Sequence, residues 1–359
     1  MPYRRTTSSR AYDGRIAGRL GLLTAGVVLL LSCAAPAAAA QGDCDVPPEL
    51  TLTRPDPEGV PTEVTVGAYL VDLYAIDDAD QTFSADFFFV MAWGDERLMD
   101  IDGRSLAGCE VPIASVWAPR VIVLNERQVN KSFAETIHIG PGGLLEYQQR
   151  FQGEFTNRMN LRDFPMDRQT LTFRLVLGRA RAEEIALVED ERTGGADEFS
   201  IADWTVLGGS ASYEPFRLPT ADQYFPQVTY RTEVRRNRAY YAQKVFLPLI
   251  LIVCMSWAVF WIDPKLVPPQ IGISTSAVLT LIAFLFSLAY TLPRLSYLTR
   301  ADRFVMGATV LVFFAFGEAL LSTGLAGRGR EETALRIDRV SRLVFPTIFA
   351  AIMLYALVL

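Results

Sequence analysis

The chain has 359 residues, half of them hydrophobic, with 34 basic and 40 acidic residues and a formal net charge of −6. This acidic balance, without a concentrated basic patch, excludes nucleic acid as an expected partner. The sequence has a single histidine, four cysteines, no Cys-x-x-Cys pair and no nucleophile beside a base. We therefore expect no metal, no cofactor, no catalytic residue and no enzymatic activity.

Residues 1–40 have the pattern of a secretory signal peptide. Arginines precede the apolar segment Leu20–Leu31, and a run of small residues ends at Ala40. The following segment, residues 41–239, is then exported to the periplasm or the cell exterior. In that oxidising setting Cys44 and Cys109 either form a disulfide or remain two thiols, and the sequence leaves both readings open.

Residues 41–239 have the alternating pattern of β-strands. Three segments have a residue suited to a buried strand face at every second position: Phe83–Trp93, Leu171–Leu177 and Val228–Val234. Such alternation is typical of half-buried strands, and turn-rich breaks such as residues 76–80 separate them. The pattern predicts an all-β, immunoglobulin-like sandwich outside the membrane.

Residues 240–359 contain apolar runs that approach or exceed the roughly 20 residues needed to cross a bilayer. They predict a four-helix transmembrane bundle, with helices at about 240–262, 268–291, 301–325 and 340–359. The last strand enters the first helix without a linker. With the sandwich outside, Arg328 and Arg330 lie on the inner side, as the positive-inside tendency requires. This predicts a multi-pass protein of the bacterial inner membrane, in contact with lipid.

The second predicted helix carries a stripe of small, hydroxyl and apolar side chains at alternating steps of four and three residues. The stripe consists of Gly272, Ser276, Leu279, Ala283, Phe286 and Tyr290. Its composition favours a water-filled pore, and close helix packing is the alternative. One helix cannot enclose water, so a pore requires several copies around an axis. Leu279 and Phe286 then form apolar rings that gate by dewetting.

Several motifs, in order and spacing, resemble those of the pentameric ligand-gated ion channels. They are Trp93–Leu98, Trp117–Pro119 with Asn125, Phe164–Asp167, Leu247-Pro248, Leu292–Tyr297 and Phe345-Pro346. The cysteines that flank the Phe-Pro-x-Asp turn in animal receptors are absent, so the chain most resembles the prokaryotic members, particularly the amine-gated channels of enterobacteria. The resemblance implies a homopentamer around a central pore, opened by a small-molecule agonist or by protons.

The resemblance also implies an ion-selectivity mouth at Pro268, Pro269 and Gln270. Cation-conducting relatives place a ring of carboxylates there, and this chain has none. We therefore expect an anion-conducting or weakly selective channel for small inorganic ions. The alternatives are a cation-selective, proton-gated channel and a non-conducting periplasmic ligand receptor.

In this family the agonist lies between neighbouring sandwiches, beneath a hairpin that here contains Tyr213, Phe216, Tyr224 and Phe225. These aromatic residues either hold a cation or belong to the core and loops. The preceding strand end, Val176–Gly178, lacks the acid and the aromatic residue of the amine-gated relative. Arg179 and Arg181 follow it, and their guanidinium groups suit a carboxylate. Solvated arginines are the alternative.

The resemblance places the coupling between sandwich and pore where the two domains meet. The residues are Asp77, Asp78, Asp80, Phe164, Pro165, Asp167, Arg236, Pro293 and Tyr297. Asp167 and Arg236 carry opposite charges and can pair. The three aspartates are alternatively a solvated acidic loop or a divalent-cation site. Glu318 lies inside the third predicted span, where a carboxyl needs a polar partner or water.

Overall fold

The computed structural model describes residues 44–56, 58–101, 104–219, 222–289 and 295–357. The predicted signal peptide, residues 1–40, lies outside this set. In the described part, a one-turn helix, α1 (Glu49–Leu52), precedes the strands. The strands are β1 (Thr62–Asp77), β2 (Thr82–Gly94), β3 (Glu110–Pro112), β4 (Arg120–Val123), β5 (Glu126–Lys131), β6 (Thr136–Ile139), β7 (Leu144–Thr156), β8 (Arg168–Gly178), β9 (Ile185–Glu189), β10 (Gly194–Gly195), β11 (Trp204–Leu218) and β12 (Gln223–Arg236).

The strands form two sheets. One sheet has the order β10-β1-β2-β7-β6-β3, with β5 also paired to β7 and β9 to β1, and the other has the order β11-β12-β8-β4. Rings from β2 and β7 meet Phe173 of β8, with Phe87 at 4.6 Å and Phe155 at 4.9 Å between ring centroids. These contacts join the two sheets face to face, so the expectation of a β-sandwich is confirmed.

The alternating segments point their predicted faces into this core. The side chains of Phe83, Phe87 and Phe89 are almost fully buried, as are the matching residues Leu171–Leu177 of β8 at every second position. A strand exposes successive side chains on opposite faces, which is why the period of two located these strands correctly.

Cys44 and Cys109 form a disulfide with 5.8 Å between their Cα atoms. Of the two readings that the sequence left open, the structure therefore shows the covalent one. The bond ties the segment before α1 to the strand β3 across 65 residues of sequence.

The helices of the second domain follow the last strand. They are α2 (Arg238–Tyr241), α3 (Leu247–Ala258), α4 (Val267–Leu288), α5 (Arg300–Gly327) and α6 (Glu331–Leu357), and a π-helical turn (Ala242–Phe246) joins α2 to α3. Pro248 follows this turn, and because proline has no N–H to donate to the preceding turn, the helix widens there. Only Asn237 separates β12 from α2, and its side chain accepts a 3.1 Å hydrogen bond from the Ala239 amide.

Within the described residues, three helical segments are long and apolar enough to cross a membrane: Arg238–Trp261, Val267–Leu288 and Arg300–Gly327. The fourth helix, α6, has 27 residues. It begins at Glu331, nine positions before the expected 340, because the charged residues of the connection after α5 form its first half. Its inner half packs with charged side chains on its surface, and Asp338 is buried. The structure thus contains three apolar spans and one long, partly charged helix.

Candidate functional site

The helix α4 has one face buried against its own chain and the opposite face open. The buried side chains are Gln270, Ser274, Ala277, Leu281 and Leu288. The exposed side includes every described residue of the predicted stripe: Gly272, Ser276, Leu279, Ala283 and Phe286. Leu279 and Phe286 are 61% and 69% exposed. Tyr290 lies outside the described residues.

The hydroxyl groups on this open side are satisfied within the helix. Ser276 donates from Oγ to the Gly272 carbonyl at 2.8 Å, and Thr280 donates from Oγ1 to the Ser276 carbonyl at 2.8 Å. Each hydroxyl oxygen keeps a free lone pair that faces outward. The inner half of the stripe is therefore polar without any charge, and the outer half is apolar.

The predicted selectivity mouth is divided between two faces. Pro268 and Pro269 are exposed at the start of α4. The Gln270 side chain instead is completely buried, and its Oε1 accepts a 2.7 Å hydrogen bond from Oγ1 of Thr323. Gln270 lies one turn before Ser274 and so belongs to the buried face. Within this chain the Gln270 side chain therefore packs inward, and the assignment of the segment to a selectivity mouth stays a prediction.

Arg236 joins three elements where the sandwich meets the helices. Its Nε donates to Oδ1 of Asp167 at 2.8 Å, and its Nη2 donates to Oδ1 of Asp78 at 2.7 Å. Its guanidinium carbon lies 4.1 Å from the ring centroid of Trp204 and 4.7 Å from that of Phe164. The predicted pairing of Asp167 with Arg236 is confirmed. Asp78, also expected in this region, completes the charged cluster, whereas Trp204 was missed by sequence reasoning.

Electrostatics in this cluster favour the arginine cation. Burial alone would lower the Arg236 pKa, but its hydrogen bonds to Asp167 and Asp78 outweigh burial and raise the pKa above its usual value. Burial raises the pKa of Asp78 above the usual 3.8, and the hydrogen bond from Arg236 opposes this shift without cancelling it. Asp78 is therefore the carboxylate of the cluster that gains a proton more readily than a free aspartate.

The turn that carries Phe164 rests on the segment before α5. The Tyr297 hydroxyl accepts a hydrogen bond from the Leu161 amide at 3.0 Å. The Ala301 amide donates to the Phe164 carbonyl at 3.2 Å, and Nε of Arg300 donates to Asp163 at 2.8 Å. The adjoining Phe164–Pro165 peptide bond is cis. Pro293 lies outside the described residues.

The aspartates of the β1–β2 turn have separate tasks. Asp77 accepts hydrogen bonds from the amides of Ala79 and Asp80, both at 2.9 Å, and so shapes the turn. Asp80 instead forms an exposed 3.0 Å ion pair with Arg127. Asp78 alone of the three reaches Arg236. In the described part of the chain no group of three or more His, Cys, Asp or Glu side chains is placed to hold a metal ion.

The predicted ligand hairpin is the pair β11–β12. Phe216 is the register partner of Phe225, and Tyr213 is that of Val228. Tyr224 is 54% exposed at the hairpin tip. Burial raises the pKa of Tyr213 to about 12, so its hydroxyl stays protonated. The four aromatic residues are spread along the hairpin and do not form one closed box.

Phe225 lines a cavity of about 930 Å³, named here the hairpin cavity, whose polar side chains are Arg120, Lys131, Glu135, Tyr147 and Arg179. Arg181 lines a different cavity with Tyr224 and lies 3.5 Å from Glu183. The predicted fork of Arg179 and Arg181 is therefore not assembled.

In the hairpin cavity, Arg179 donates a hydrogen bond to the Thr51 carbonyl, and Lys131 pairs with Glu135 at 2.5 Å. Arg120 makes no ion pair with any described residue. Sequence reasoning missed Arg120, although it directly follows the recognised segment Trp117–Pro119, and this position was the available signal.

Comparisons with known proteins match both domains. Residues 51–238 match the family model described as the neurotransmitter-gated ion-channel ligand binding domain, and residues 245–321 match the neurotransmitter-gated ion-channel transmembrane region. The proton-gated ion channel of Gloeobacter violaceus is 26% identical over 293 residues, covering 80% of each chain. The gamma-aminobutyric acid receptor subunit beta-4 of Gallus gallus is 24% identical over 301 residues, covering 80% of this chain and 61% of that subunit. These relatives do not confirm the finer resemblance to amine-gated channels.

Proposed function

Because this chain belongs to the neurotransmitter-gated ion-channel family, we propose that it forms a homopentameric channel whose pore is lined by α4. A ligand bound at the sandwich opens the pore, and small inorganic ions pass. Members of this family are channels and not enzymes. The multi-pass topology and the inner arginines support a place in the bacterial inner membrane, with the sandwich in the periplasm.

The observation that carries this proposal is the open stripe of α4. A single α4 leaves Leu279 and Phe286 exposed on the side opposite the buried Leu281. In several copies around an axis, these side chains form apolar rings, and a narrow apolar neck stops ions by losing its water. The polar Ser276 and the small Gly272 then border a wetter inner half.

The contacts at Arg236 support a route for coupling. Arg236 ends the strand β12 and binds the β1–β2 turn through Asp78 and the Phe164 turn through Asp167. The Phe164 turn in turn bonds to Tyr297 and to Ala301 at the start of α5. A movement of the sandwich is therefore transmitted to the helices through the ion pairs of Arg236 and through the hydrogen bonds of the Phe164 turn.

For the ligand we propose an anionic molecule in the hairpin cavity. Lys131 is neutralised by Glu135, which leaves Arg120 and Arg179 as the cations that a carboxylate can meet. The rings of Phe225 and Tyr147 supply apolar contact. Proton activation is the second candidate, supported by the raised pKa of Asp78 and by the similarity to a channel named as proton-gated.

For the permeant ion we propose an anion or weak selectivity. The first turn of α4 carries no acidic residue, and the exposed prolines Pro268 and Pro269 carry no charge. A cation-selective channel is the alternative, and a reversal potential measured in a salt gradient separates the two.

Accessibility of α4 to a charged thiol reagent tests the pore. Cys254 is the free cysteine of the described residues, so a Cys254→Ser background is used with Ser276→Cys, Ala283→Cys and, as the matched buried control, Ala277→Cys. In bilayers containing the purified protein, we expect the reagent to block current through the first two variants and spare the third. Equal protection of all three, or a protein without conductance and monomeric in detergent, contradicts the proposal.

A further inference from the structure

An apolar groove of about 520 Å³ lies between α5 and α6, named here the α5–α6 groove. It is lined by Val310, Phe314, Leu321 and Ile348, among other apolar side chains. Phe314 and Leu321 are 68% and 66% exposed. The groove is therefore open at the surface of this chain's helical domain.

The groove has one charged lining residue, Glu318. Its side chain is 9% exposed, and neither Oε1 nor Oε2 has a hydrogen-bond donor within the described residues. Across the helix pair lies Asp338, which is completely buried. Asp338 accepts a 2.6 Å hydrogen bond at Oδ1 from Ser322, while its Oδ2 has no donor in the described chain. The side chains of Asp338 and Ser341 interact electrostatically with the Glu318 carboxyl.

Among the described residues, no cation forms an ion pair with either carboxyl group. Arg342, one turn beyond Asp338 on α6, donates from Nε to the Phe260 carbonyl at 2.9 Å and covers the Trp261 ring. Lys265, before α4, pairs with Glu331 at 2.7 Å. The buried face of α4 contributes the neutral amide of Gln270. Two adjacent buried carboxyl groups require a shared proton or a neighbouring cation, since both cannot be ionised alone in a low-dielectric setting.

We propose that the α5–α6 groove binds a lipophilic amine, with its apolar part along Phe314 and Ile348 and its ammonium group at Glu318, the lining carboxyl behind which Asp338 is buried. The groove supplies apolar contact for the hydrocarbon part of the amine. The ammonium group supplies the positive charge that the carboxyl pair lacks. A volume of about 520 Å³ is in the range of small-molecule pockets, about 300–1,000 Å³.

The depth of the pair selects a free amine over a lipid headgroup. Glu318 lies nine residues before the end of α5 at Gly327, which at 1.5 Å per residue is about 14 Å along the helix. A phospholipid ammonium is held at the interface by its phosphate, whereas a single-chain amine brings its nitrogen to this depth.

The test uses full-length protein in phosphatidylcholine nanodiscs, a photoreactive alkylamine, and the alcohol of the same chain length. Labelled peptides are located by mass spectrometry. We expect the amine to label α5 and α6 about tenfold more than the alcohol, a preference of about 1.4 kcal/mol. Glu318→Gln removes this preference while leaving the apolar labelling. Glu332→Gln, at the exposed start of α6, is the matched control and keeps it.

A second variant tests the groove itself. A Cβ at Gly317 has no atom within 4 Å, so Gly317→Phe fills the groove without a clash and is expected to abolish labelling by both probes. Equal labelling by amine and alcohol, an unchanged preference in Glu318→Gln, or protection of the groove by a co-purified phospholipid overturns the proposal. The labelling readout needs no ion current, so its result for the groove is independent of whether the protein is a channel.

Discussion

Arg236 and Asp167 form a buried ion pair, with 2.8 Å between Nε and Oδ1, at the end of the sandwich nearest the helices. Removal of one partner of such a pair leaves the other charge buried and uncompensated, which costs about 3–5 kcal/mol. We expect Arg236→Ala to lower the thermal unfolding temperature of the purified protein and to abolish the ligand-evoked current. Arg235→Ala, the exposed neighbour, is expected to change neither. A normal current in Arg236→Ala contradicts the coupling role.

The apolar rings of the pore predict the direction of gating mutants. Leu279→Ser and Phe286→Ala each make the neck more polar or wider, so it wets more easily. We expect a higher basal current or a lower ligand concentration for half-maximal opening, by about tenfold, equivalent to about 1.4 kcal/mol. Ile273→Ser, which lies about 100° from Gly272 around the helix, is the control. Unchanged gating in both stripe variants would remove the rings from the mechanism.

From the raised pKa of Asp78 we predict that the current depends in part on pH. Because burial raises its pKa above the usual 3.8, Asp78 takes up a proton as the pH falls, before a free aspartate does, and then loses its ionic contact with Arg236. Asp78→Asn imitates this protonated state at every pH. We expect its current to vary less than that of the wild type between about pH 7 and pH 4. Asp80→Asn should retain the wild-type pH profile.

The sandwich has an acid-sensitive pair in Asp86 and Arg150. Burial alone would raise the Asp86 pKa, but hydrogen bonds from Arg150, Gln152 and Tyr74 outweigh burial and hold the pKa below its usual 3.8. A depressed folded-state pKa stabilises the protein above the unfolded-state value, and this stability is lost as the pH falls through the folded-state value. We expect Asp86→Asn to unfold more readily at pH 7 but to show a shallower loss of stability below about pH 4. A slope equal to that of the wild type contradicts this assignment.

The disulfide predicts a redox-sensitive sandwich. A bond that closes a 65-residue loop stabilises the folded state by about 4 kcal/mol through the lost entropy of the unfolded chain. We expect Cys44→Ser, or a reductant, to lower the thermal unfolding temperature, and the reductant to have no further effect on the Cys44→Ser variant. Cys254→Ser is the control in the helical domain.

Local and periodic sequence patterns predicted some of these positions, whereas contacts between distant segments could not be predicted. Phe87 and Phe173 were placed correctly because strand alternation is local. Leu279 and Phe286 lie on the exposed face of α4 because a stripe is periodic, and their place in a pore stays a prediction. The burial of Gln270 could not be predicted, because a polar residue beside two prolines looks like part of a mouth and only the contact with Thr323 reveals its buried face. The partners of Arg236 come from three separate segments, which no local pattern brings together.

The strand β12 joins the hairpin cavity to the membrane in one piece. From Phe225 to Arg236 it extends about 36 Å at 3.3 Å per residue, and Asn237 is the sole residue before α2. Such a joint has no slack, so a sliding or tilting of the strand arrives at the first helix as a displacement of similar size. If a ligand binds the hairpin cavity as proposed, we expect β12 to transmit its occupancy to the position of the first helix, with the side-chain contacts around Arg236 setting the direction of movement.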